Sequence, residues 1–252
     1  MPRYFLDIAY KGTQYAGWQV QPNANTVQAE LNKALSTFLR KEMTSLGAGR
    51  TDAGVHATQL HVHIDVQEEL PLQFFHSING LLPNDIALNG VYRPVNPELH
   101  ARFDAISRAY TYQLIFKKNP HHIHDAMWVR QQLDISKMKA AAAILREYKE
   151  FGAFCKAHAD NHTNFCDIMH AYFEERDHLL LFHIKANRFL RGMVRAVVGT
   201  LLMVGSGKIN LQEFRQIIES QDRKNAGSNA PAKGLFLVEV AYPEETLELI
   251  QS

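Results

Sequence analysis

The fold is decided by the first stretch of the chain, Met1-Pro-Arg-Tyr-Phe-Leu-Asp-Ile-Ala-Tyr-Lys-Gly12. Its side chains form two interleaved sets, one apolar or aromatic (Tyr4, Leu6, Ile8, Tyr10) and one mixed (Phe5, Asp7, Ala9, Lys11). A period of two predicts a half-buried strand. Because Asp7 and Lys11 interrupt the stretch before an apolar segment of signal-peptide length accumulates, we expect no secretion signal.

The elements that follow complete a β-α-β-β-α-β order. Thr26 can cap a helix whose apolar residues recur at helical spacing up to Leu39, and Pro71 can open a second helix. This is the order of the ferredoxin-like split βαβ arrangement, in which helices cover one face of an antiparallel sheet. We expect the other face to be open and able to bind RNA. The remaining strands are expected at Met43 to Gly47, Leu60 to Val66 and Ile86 to Tyr92.

From about Ala105 a second α+β pattern begins, with no repeat of sequence. A long alternating strand runs to Phe116, Ser136 can cap a helix, and Asn210 with Glu213 resembles a capping box. We therefore expect an α+β protein of two halves, residues 1–104 and 105–252, with mainly antiparallel sheets. Further elements are expected at Met127 to Arg130 (strand), Ile168 to Glu174 with Leu179 to Lys185 (hairpin), Arg188 to Val204 (helix) and Leu235 to Tyr242 (strand).

The composition is that of a soluble globular protein, with 252 residues, 46% hydrophobic and 21% charged. A chain of this length needs no disulfide to fold, and it has only two cysteines, Cys155 and Cys166. The most apolar stretch, Met193 to Val204, contains Arg195 and is shorter than the ~20 residues that span a bilayer. We therefore expect a cytoplasmic protein without a membrane span.

Charge is segregated along the chain although it nearly cancels overall. Lysine and arginine total 27 against 26 acidic residues, which leaves a net charge of +1. From Arg93 to Arg130 six basic residues face three acids, and four histidines can add charge. Two shorter segments carry opposite signs: Lys185, Arg188, Arg191 and Arg195 are basic, and Glu239, Glu244, Glu245 and Glu248 are acidic.

The segment Ala48-Gly-Arg-Thr-Asp-Ala-Gly-Val-His-Ala57 places a single carboxylate, Asp52, on a glycine-flanked turn between strands. Glycine lets a ligand approach the backbone closely, which favours a catalytic carboxylate. Aspartate is also common in tight turns, where it accepts hydrogen bonds from backbone N–H groups. From this segment alone both interpretations stand.

Basic and aromatic residues in the second half are further candidates. On the predicted helix Arg188 to Val204, the spacing of Arg188, Arg191 and Arg195 places them on one stripe, which predicts either an RNA-binding face or a solvated one. Tyr110 and Tyr112 share a strand face with Arg108. Either tyrosine can be a core aromatic, and we prefer that interpretation for Tyr112.

A zinc site is a competing interpretation of one cluster. Five residues of zinc-ligand type fall within sixteen positions, but they contain no closely spaced cysteine pair, and Ile168 to Phe173 reads as a strand. We therefore favour ordinary loop and core residues and predict no metal. The five are Cys155, His158, His162, Cys166 and His170.

The segment around Asp52 resembles the catalytic segment of the tRNA pseudouridine synthase A family, the tRNA pseudouridine(38-40) synthases. The resemblance covers essentially the whole chain. It includes Tyr10 to Gln19, Thr26 to Gln28, His100 to Phe103, Tyr110 to Tyr112, Lys185 to Phe189, Met193 to Arg195, Val198-Gly199 and Gly234-Leu235.

This resemblance implies the pseudouridine synthase fold, two RRM-like halves with the active cleft between them. It implies a cofactor-free homodimer that converts uridines of the tRNA anticodon stem-loop, positions 38–40, to pseudouridine. Asp52 matches the essential aspartate, and Arg50 the arginine that fills the space left by the flipped base, although a surface arginine is the alternative. Tyr110 matches the active-site tyrosine, and Arg195 the arginine that pairs with the catalytic carboxylate.

Two other classes remain as alternatives to a tRNA-modifying enzyme. One is a noncatalytic RNA-binding module built from RRM-like halves, and the other is a zinc-organised structural protein. Salt-dependent tRNA binding is common to the enzyme and the module, so a binding assay alone does not separate them.

Overall fold

The computed structural model of the chain describes residues 1–156 and 162–252. It has an α+β fold with mostly antiparallel strands. The chain divides into two compact units: the first comprises residues 1–106 and 237–252, and the second comprises residues 107–236. Residues 237–252, which the sequence analysis grouped with the second half, belong to the first unit because Leu247–Gln251 pairs with Ile86–Pro94.

The first unit confirms the predicted β-α-β-β-α-β order. Its strands follow the order β10-β4-β1-β3, and residues 237–241 of β9 also belong to it. Each neighbouring pair in that order is antiparallel. The elements are β1 (Arg3–Tyr10), α1 (Val27–Leu39), β2 (Leu46–Gly47), β3 (His56–Asp65), α2 (Phe74–Leu81), β4 (Ile86–Pro94), β9 (Leu235–Ala241) and β10 (Leu247–Gln251).

Helix α1 begins where the sequence predicts. The Thr26 side chain accepts a hydrogen bond from the backbone N–H of Ala29 at 3.3 Å, which satisfies one of the unpaired donors of the first turn. Val27, Leu31 and Leu35 repeat at helical spacing and are fully buried. Burial of this face, more than helix propensity, stabilises a helix of this length.

The second unit contains three antiparallel strands in the order β5-β8-β7, with a short parallel strand beside β5. The predicted hairpin is confirmed, and its turn contains Asp177 at φ 53°. The elements are β5 (Ser107–Ile115), β6 (Met127–Trp128), α3 (Ile135–Ile144), β7 (Ile168–Arg176), β8 (Leu179–Ala186), α4 (Met193–Gly205) and α5 (Leu211–Ser220).

Helix starts in this unit match the sequence patterns in one case of three. The capping box of α5 is present, with Asn210 and Glu213 each bonding the other's backbone N–H. Helix α3 is capped by Asp134 and not by Ser136, because the Asp134 carboxylate accepts from the N–H of Lys137 at 3.0 Å. Helix α4 starts at Met193 and not at Arg188.

The late start of α4 has a local cause. Gly192 adopts φ 72°, a left-handed conformation that a right-handed helix cannot contain. Residues 187–192 are therefore not helical, and Arg188 and Arg191 do not form a helical stripe with Arg195. Over residues 1–156 and 162–252, no helix has the length and apolar character needed to cross a membrane.

The helix-free face of the first unit is buried, contrary to expectation. Asp7 pairs with His61 across β1 and β3, and all of Phe5, Asp7, His61 and His63 are at most 7% exposed. The ring of Tyr242 packs edge-on against both Phe5 and His61 at 5.5 Å between centroids. This face therefore does not offer the open platform on which RRM domains stack bases.

The loop that contains Ala101 holds Tyr242 in place over this face. The Tyr242 hydroxyl donates to the Ala101 carbonyl at 2.5 Å, and the Ala101 N–H donates to Nδ1 of His63 at 3.1 Å. Burial lowers the pKa of His61 to about 4 and that of His63 to about 4. Both imidazoles are therefore neutral at physiological pH.

Burial on this face also disfavours the charged form of Asp7. No donor among the described residues bonds its Oδ1. Burial raises the pKa of Asp7 to about 6, and hydrogen bonds from Gln59 and Asn89 offset that rise only in part. The unfolded chain thus loses this proton near pH 4 while the folded protein holds it up to about pH 6, so rising pH destabilises the fold across that window.

We expect Asp7→Asn to stabilise the protein at pH 7.5 relative to wild type, by about 2 kcal/mol more than at pH 4. An amide keeps the hydrogen bonds but does not titrate. Urea unfolding at pH 4, 5, 6 and 7.5 measures the free energy of unfolding of both proteins. The contributions of His61 and His63 to its pH dependence cancel in the difference, because both proteins contain these histidines. Asp177→Asn, in an exposed hairpin turn, is the matched control. An Asp7→Asn advantage that does not grow with pH contradicts this account.

Candidate active site

Asp52 lies on the loop between β2 and β3, at a tight turn. The N–H of Val55 donates to the carbonyl of Asp52 at 3.1 Å, and Gly54 adopts φ 78°, which glycine accommodates without strain. Thr51 is buried, Asp52 is half-buried and Arg50 is exposed. The turn thus anchors the backbone on both sides of Asp52.

The segment from Tyr10 to Trp18 holds this turn through four hydrogen bonds. The hydroxyls of Tyr10 and Thr51 are 2.7 Å apart, and the Trp18 N–H donates to the Thr51 carbonyl at 3.2 Å. Two more bonds, from Gly54 N–H to the Tyr15 carbonyl (3.2 Å) and from Gly12 N–H to His56 Nδ1 (3.1 Å), fix its other end.

Two glycines make this contact possible. A Cβ atom at Gly12 would lie 1.9 Å from the carbonyl oxygen of Val55, and one at Gly17 would lie 2.5 Å from that of Thr51. Gly17 also adopts φ 97°, which other residues rarely tolerate. Backbone thus packs on backbone, and Asp52 projects from a loop with little freedom to move.

Tyr110 lies on β5 in the second unit and is half-buried. Its ring packs edge-on against Phe189, with 5.2 Å between centroids and 87° between planes. Nearby on β5, the Arg108 guanidinium donates to the Asn187 carbonyl at 3.1 Å. Tyr112 is fully buried, with its hydroxyl donating to the Pro231 carbonyl at 2.8 Å, so its predicted place in the core is confirmed.

Arg195 belongs to the first turn of α4 and is oriented by a neighbouring loop. Its Nε donates to the Ala230 carbonyl at 2.7 Å, and the Ala230 N–H donates to the Arg195 carbonyl at 2.9 Å. A Cβ at Gly199 would lie 1.8 Å from the Ser228 carbonyl oxygen, so this loop contacts the helix backbone directly. The Gly227 N–H adds a 2.9 Å bond to the Thr200 hydroxyl.

Arg188 and Arg191 occupy the non-helical segment that leads into α4. Arg188 is half-buried and Arg191 is exposed. The Arg191 carbonyl accepts from the N–H of Lys156 at 2.9 Å, and the Asn187 side chain accepts from the N–H of Asp167 at 2.8 Å. These bonds fix the backbone from which both guanidinium groups project.

The structure thus places the predicted site residues in two groups. Asp52 and Arg50 belong to the first unit, and Tyr110, Arg188, Arg191 and Arg195 belong to the second. Sequence reasoning missed the residues that hold these side chains, namely Tyr10, His56 and Phe189. All three lie within motifs quoted above, but only tertiary contacts show what they touch.

The cysteine and histidine cluster shows no metal-binding character in the part that is described. His158 lies outside the described residues. Within residues 1–156 and 162–252, no three or more His, Cys, Asp or Glu side chains are grouped so that they could hold a metal ion. Burial raises the pKa of the Cys166 thiol to about 11, which opposes the thiolate form that binds zinc.

Comparison with known proteins gives one consistent result. A family profile described as tRNA pseudouridine synthase matches residues 141–243. The tRNA pseudouridine synthase A of Bacteroides fragilis is 49% identical over 250 residues, which is 98% of this chain and 98% of that protein. The protein of the same name from Thermus thermophilus is 39% identical over 257 residues, 98% of this chain and 99% of its own. With such similarity along nearly its whole length, the chain belongs to the tRNA pseudouridine synthase A family.

Proposed function

We propose that the protein isomerises uridine to pseudouridine in tRNA, at positions 38–40 of the anticodon stem-loop, with Asp52 as the catalytic carboxylate. The observation that carries the proposal is the rigidly held turn bearing Asp52, in a chain whose curated relatives are named tRNA pseudouridine synthase A. The specific positions come from the family resemblance of the sequence.

The reaction conserves every atom of the uridine. The bond between N1 and C1′ breaks, a bond between C5 and C1′ forms, C5 gives up its proton, and N1 gains one. No electron is transferred to an external acceptor, so the chemistry requires a nucleophile or acid–base group and a shielded site. A carboxylate on a fixed loop meets the first requirement.

The role of Asp52 follows from how its turn is held. Attack on C1′, attack on C6 and assistance to elimination all need a carboxylate held near the sugar or base. The contacts with the Tyr10 to Trp18 segment keep the Asp52 backbone fixed. A nucleophile held in place before the substrate binds loses little entropy at the reaction step, which lowers the barrier.

A uridine stacked in an RNA helix hides its glycosidic bond, so the target must leave the stack. We propose that the exposed Arg50, two residues from Asp52, fills the space left by the base. A guanidinium plane can stack on neighbouring bases and pair with phosphates, which suits this position. Arg188 and Arg191 are proposed to bind phosphates of the same RNA.

Tyr110 and Arg195 are assigned the roles that the family resemblance implies. The Tyr110 ring, supported by Phe189, provides a flat surface for the target base, and its hydroxyl is a candidate for removing the C5 proton. Arg195, whose Nε donates to the Ala230 carbonyl, is proposed to pair with the catalytic carboxylate and orient it. We further propose that the protein is a cytoplasmic homodimer.

A noncatalytic RNA-binding module is the alternative function. We expect wild-type protein to release tritium from tRNA labelled at C5 of uridine, and Asp52→Asn to release none. The tRNA affinity of Asp52→Asn should stay within about tenfold of wild type, because one carboxylate attracts no phosphate. Asp177→Asn should release tritium at the wild-type rate. Loss of release in Asp52→Asn with binding intact selects the enzyme. Near-normal release by that variant would falsify the assignment of Asp52.

For Tyr110 we expect substitution to separate stacking from proton transfer. Tyr110→Phe should bind tRNA normally but form product ~10² to 10⁴ times more slowly, because it keeps the ring and lacks the hydroxyl. Tyr110→Leu should weaken binding as well. Single-turnover assays with mass spectrometry of tRNA digests measure both, with the exposed Tyr172→Phe as control. Wild-type rates in Tyr110→Phe would leave Tyr110 as a stacking surface only.

For Arg195 we expect Arg195→Ala to lower turnover by ~10² or more, since a charge-assisted partner of the carboxylate is lost. It should also lower the melting temperature by ~2 to 4 °C, because the buried Ala230 carbonyl loses its donor at a cost of about 1 kcal/mol. Arg195→Lys should recover part of the activity by restoring charge. Arg146→Ala, at an exposed position, is the control. If Arg195→Ala turns over tRNA at the wild-type rate, Arg195 is not part of the active site.

A further inference from the structure

A positively charged surface of the second unit has no part in the proposed chemistry. It lies in the loop after β5 and around β6, where Lys117, Lys118, His121, Trp128 and Arg130 are all exposed. We call these five residues the distal patch. They belong to the basic region that the sequence analysis noted between Arg93 and Arg130.

The patch is anchored at the end of β5 that is farther from Tyr110. Trp128 pairs with Ile115 in the parallel β5–β6 ladder, and the N–H of Val129 donates to the Ile115 carbonyl at 2.8 Å. The Lys233 ammonium donates to the Ile123 carbonyl at 2.8 Å, which ties the loop between the two strands to the unit. Ile115 is five positions along β5 from Tyr110, roughly 16 Å at ~3.3 Å per residue.

Nearby acids do not neutralise the patch. The Asp125 carboxylate bonds the His122 imidazole at 3.0 Å, and Glu175 and Glu174 pair with Lys139 and Arg176. Within residues 1–156 and 162–252, no carboxylate forms an ion pair with any of the three fixed cations of the patch. Those cations are Lys117, Lys118 and Arg130, and they are left to interact with an external anion.

The patch also presents an aromatic ring. The Arg130 guanidinium lies 4.6 Å from the centroid of the Trp128 indole, and 37% of Trp128 remains exposed. Exposed tryptophan is uncommon on a protein surface that contacts only water, whereas cations interleaved with an aromatic ring are typical of surfaces that bind nucleic acid. Both features therefore indicate the same class of ligand.

We propose that the distal patch is a second RNA-contact surface, which binds backbone phosphates of the tRNA substrate away from the target uridine. The inference rests on the proposed function, which supplies the polyanion. Ile115, which anchors the patch, lies roughly 16 Å along β5 from Tyr110, a distance that a few nucleotides span, so one RNA can contact Tyr110 and the patch together. Such a contact compensates for an overall charge near zero in a protein that holds RNA.

The test is neutralisation of the two lysines with a matched control. Lys117→Gln/Lys118→Gln should raise the Kd for tRNA at low salt by about tenfold. It should also lower the magnitude of the slope of log K against log salt by about two, because each lost phosphate contact removes about one unit of slope. The single-turnover rate at saturating tRNA should not change. Lys33→Gln/Lys41→Gln, with the same loss of charge from exposed positions of the first unit, should leave affinity and slope unchanged.

Trp128 gives an independent readout that charge does not affect. Trp128→Ala should weaken tRNA binding without altering the salt slope, and Trp128→Phe should recover part of the affinity. Melting curves confirm that each variant is folded. If the lysine pair can be neutralised with no change in tRNA affinity or slope, the proposal is overturned, whether the patch then binds an acidic protein, an anionic lipid or nothing.

These experiments distinguish failure of the distal-patch proposal from failure of the proposed isomerase function. A wild-type protein that binds tRNA through the patch but releases no tritium contradicts the isomerase and leaves the contact surface standing. A protein that releases tritium at a rate and KM unaffected by the lysine substitutions contradicts the contact surface and leaves the isomerase standing.

Discussion

The direct packing of backbone on backbone at Gly12 and Gly17 is the contact on which the candidate site depends. These glycines let the segment after β1 approach the Asp52 turn more closely than any side chain allows. Because β1 is paired with both β3 and β4, the turn takes its position from a central strand of the first unit. A carboxylate on a turn fixed in this way is already arranged for chemistry.

The second unit uses the same device for Arg195. Gly199 and the loop at Ser228 are in backbone contact, and the Gly227 N–H bonds the Thr200 hydroxyl. Asp52 and Arg195 thus both project from backbone that is in close contact with a second segment at a glycine. The Arg195 side chain adds to this contact by donating to the Ala230 carbonyl.

Polar groups on the helix-free face of the first unit have a different role. Asp7, His61 and His63 are buried, and burial shifts their pKa values toward the neutral forms. Nothing in the proposed mechanism uses them, and the cover formed by Tyr242 and Ala101 closes that face to RNA. The phosphate contacts proposed above are therefore assigned to cations of the second unit, which lie outside this buried face.

The sequence by itself determined the β-α-β-β-α-β order of the first unit, the turn carrying Asp52, the Thr26 cap and the core position of Tyr112. These features depend on local periodicity, capping chemistry and side-chain character. Tertiary structure decided what local patterns cannot encode. Gly192 ends the apparent stripe of Arg188 and Arg191 because its backbone is left-handed in the folded chain. Pairing between residues distant in sequence brings β10 onto β4. A contact of the same kind, between Tyr242 and Ala101, covers the helix-free face of the first unit. Such pairing and burial depend on the whole fold, because the residues involved are far apart in the chain.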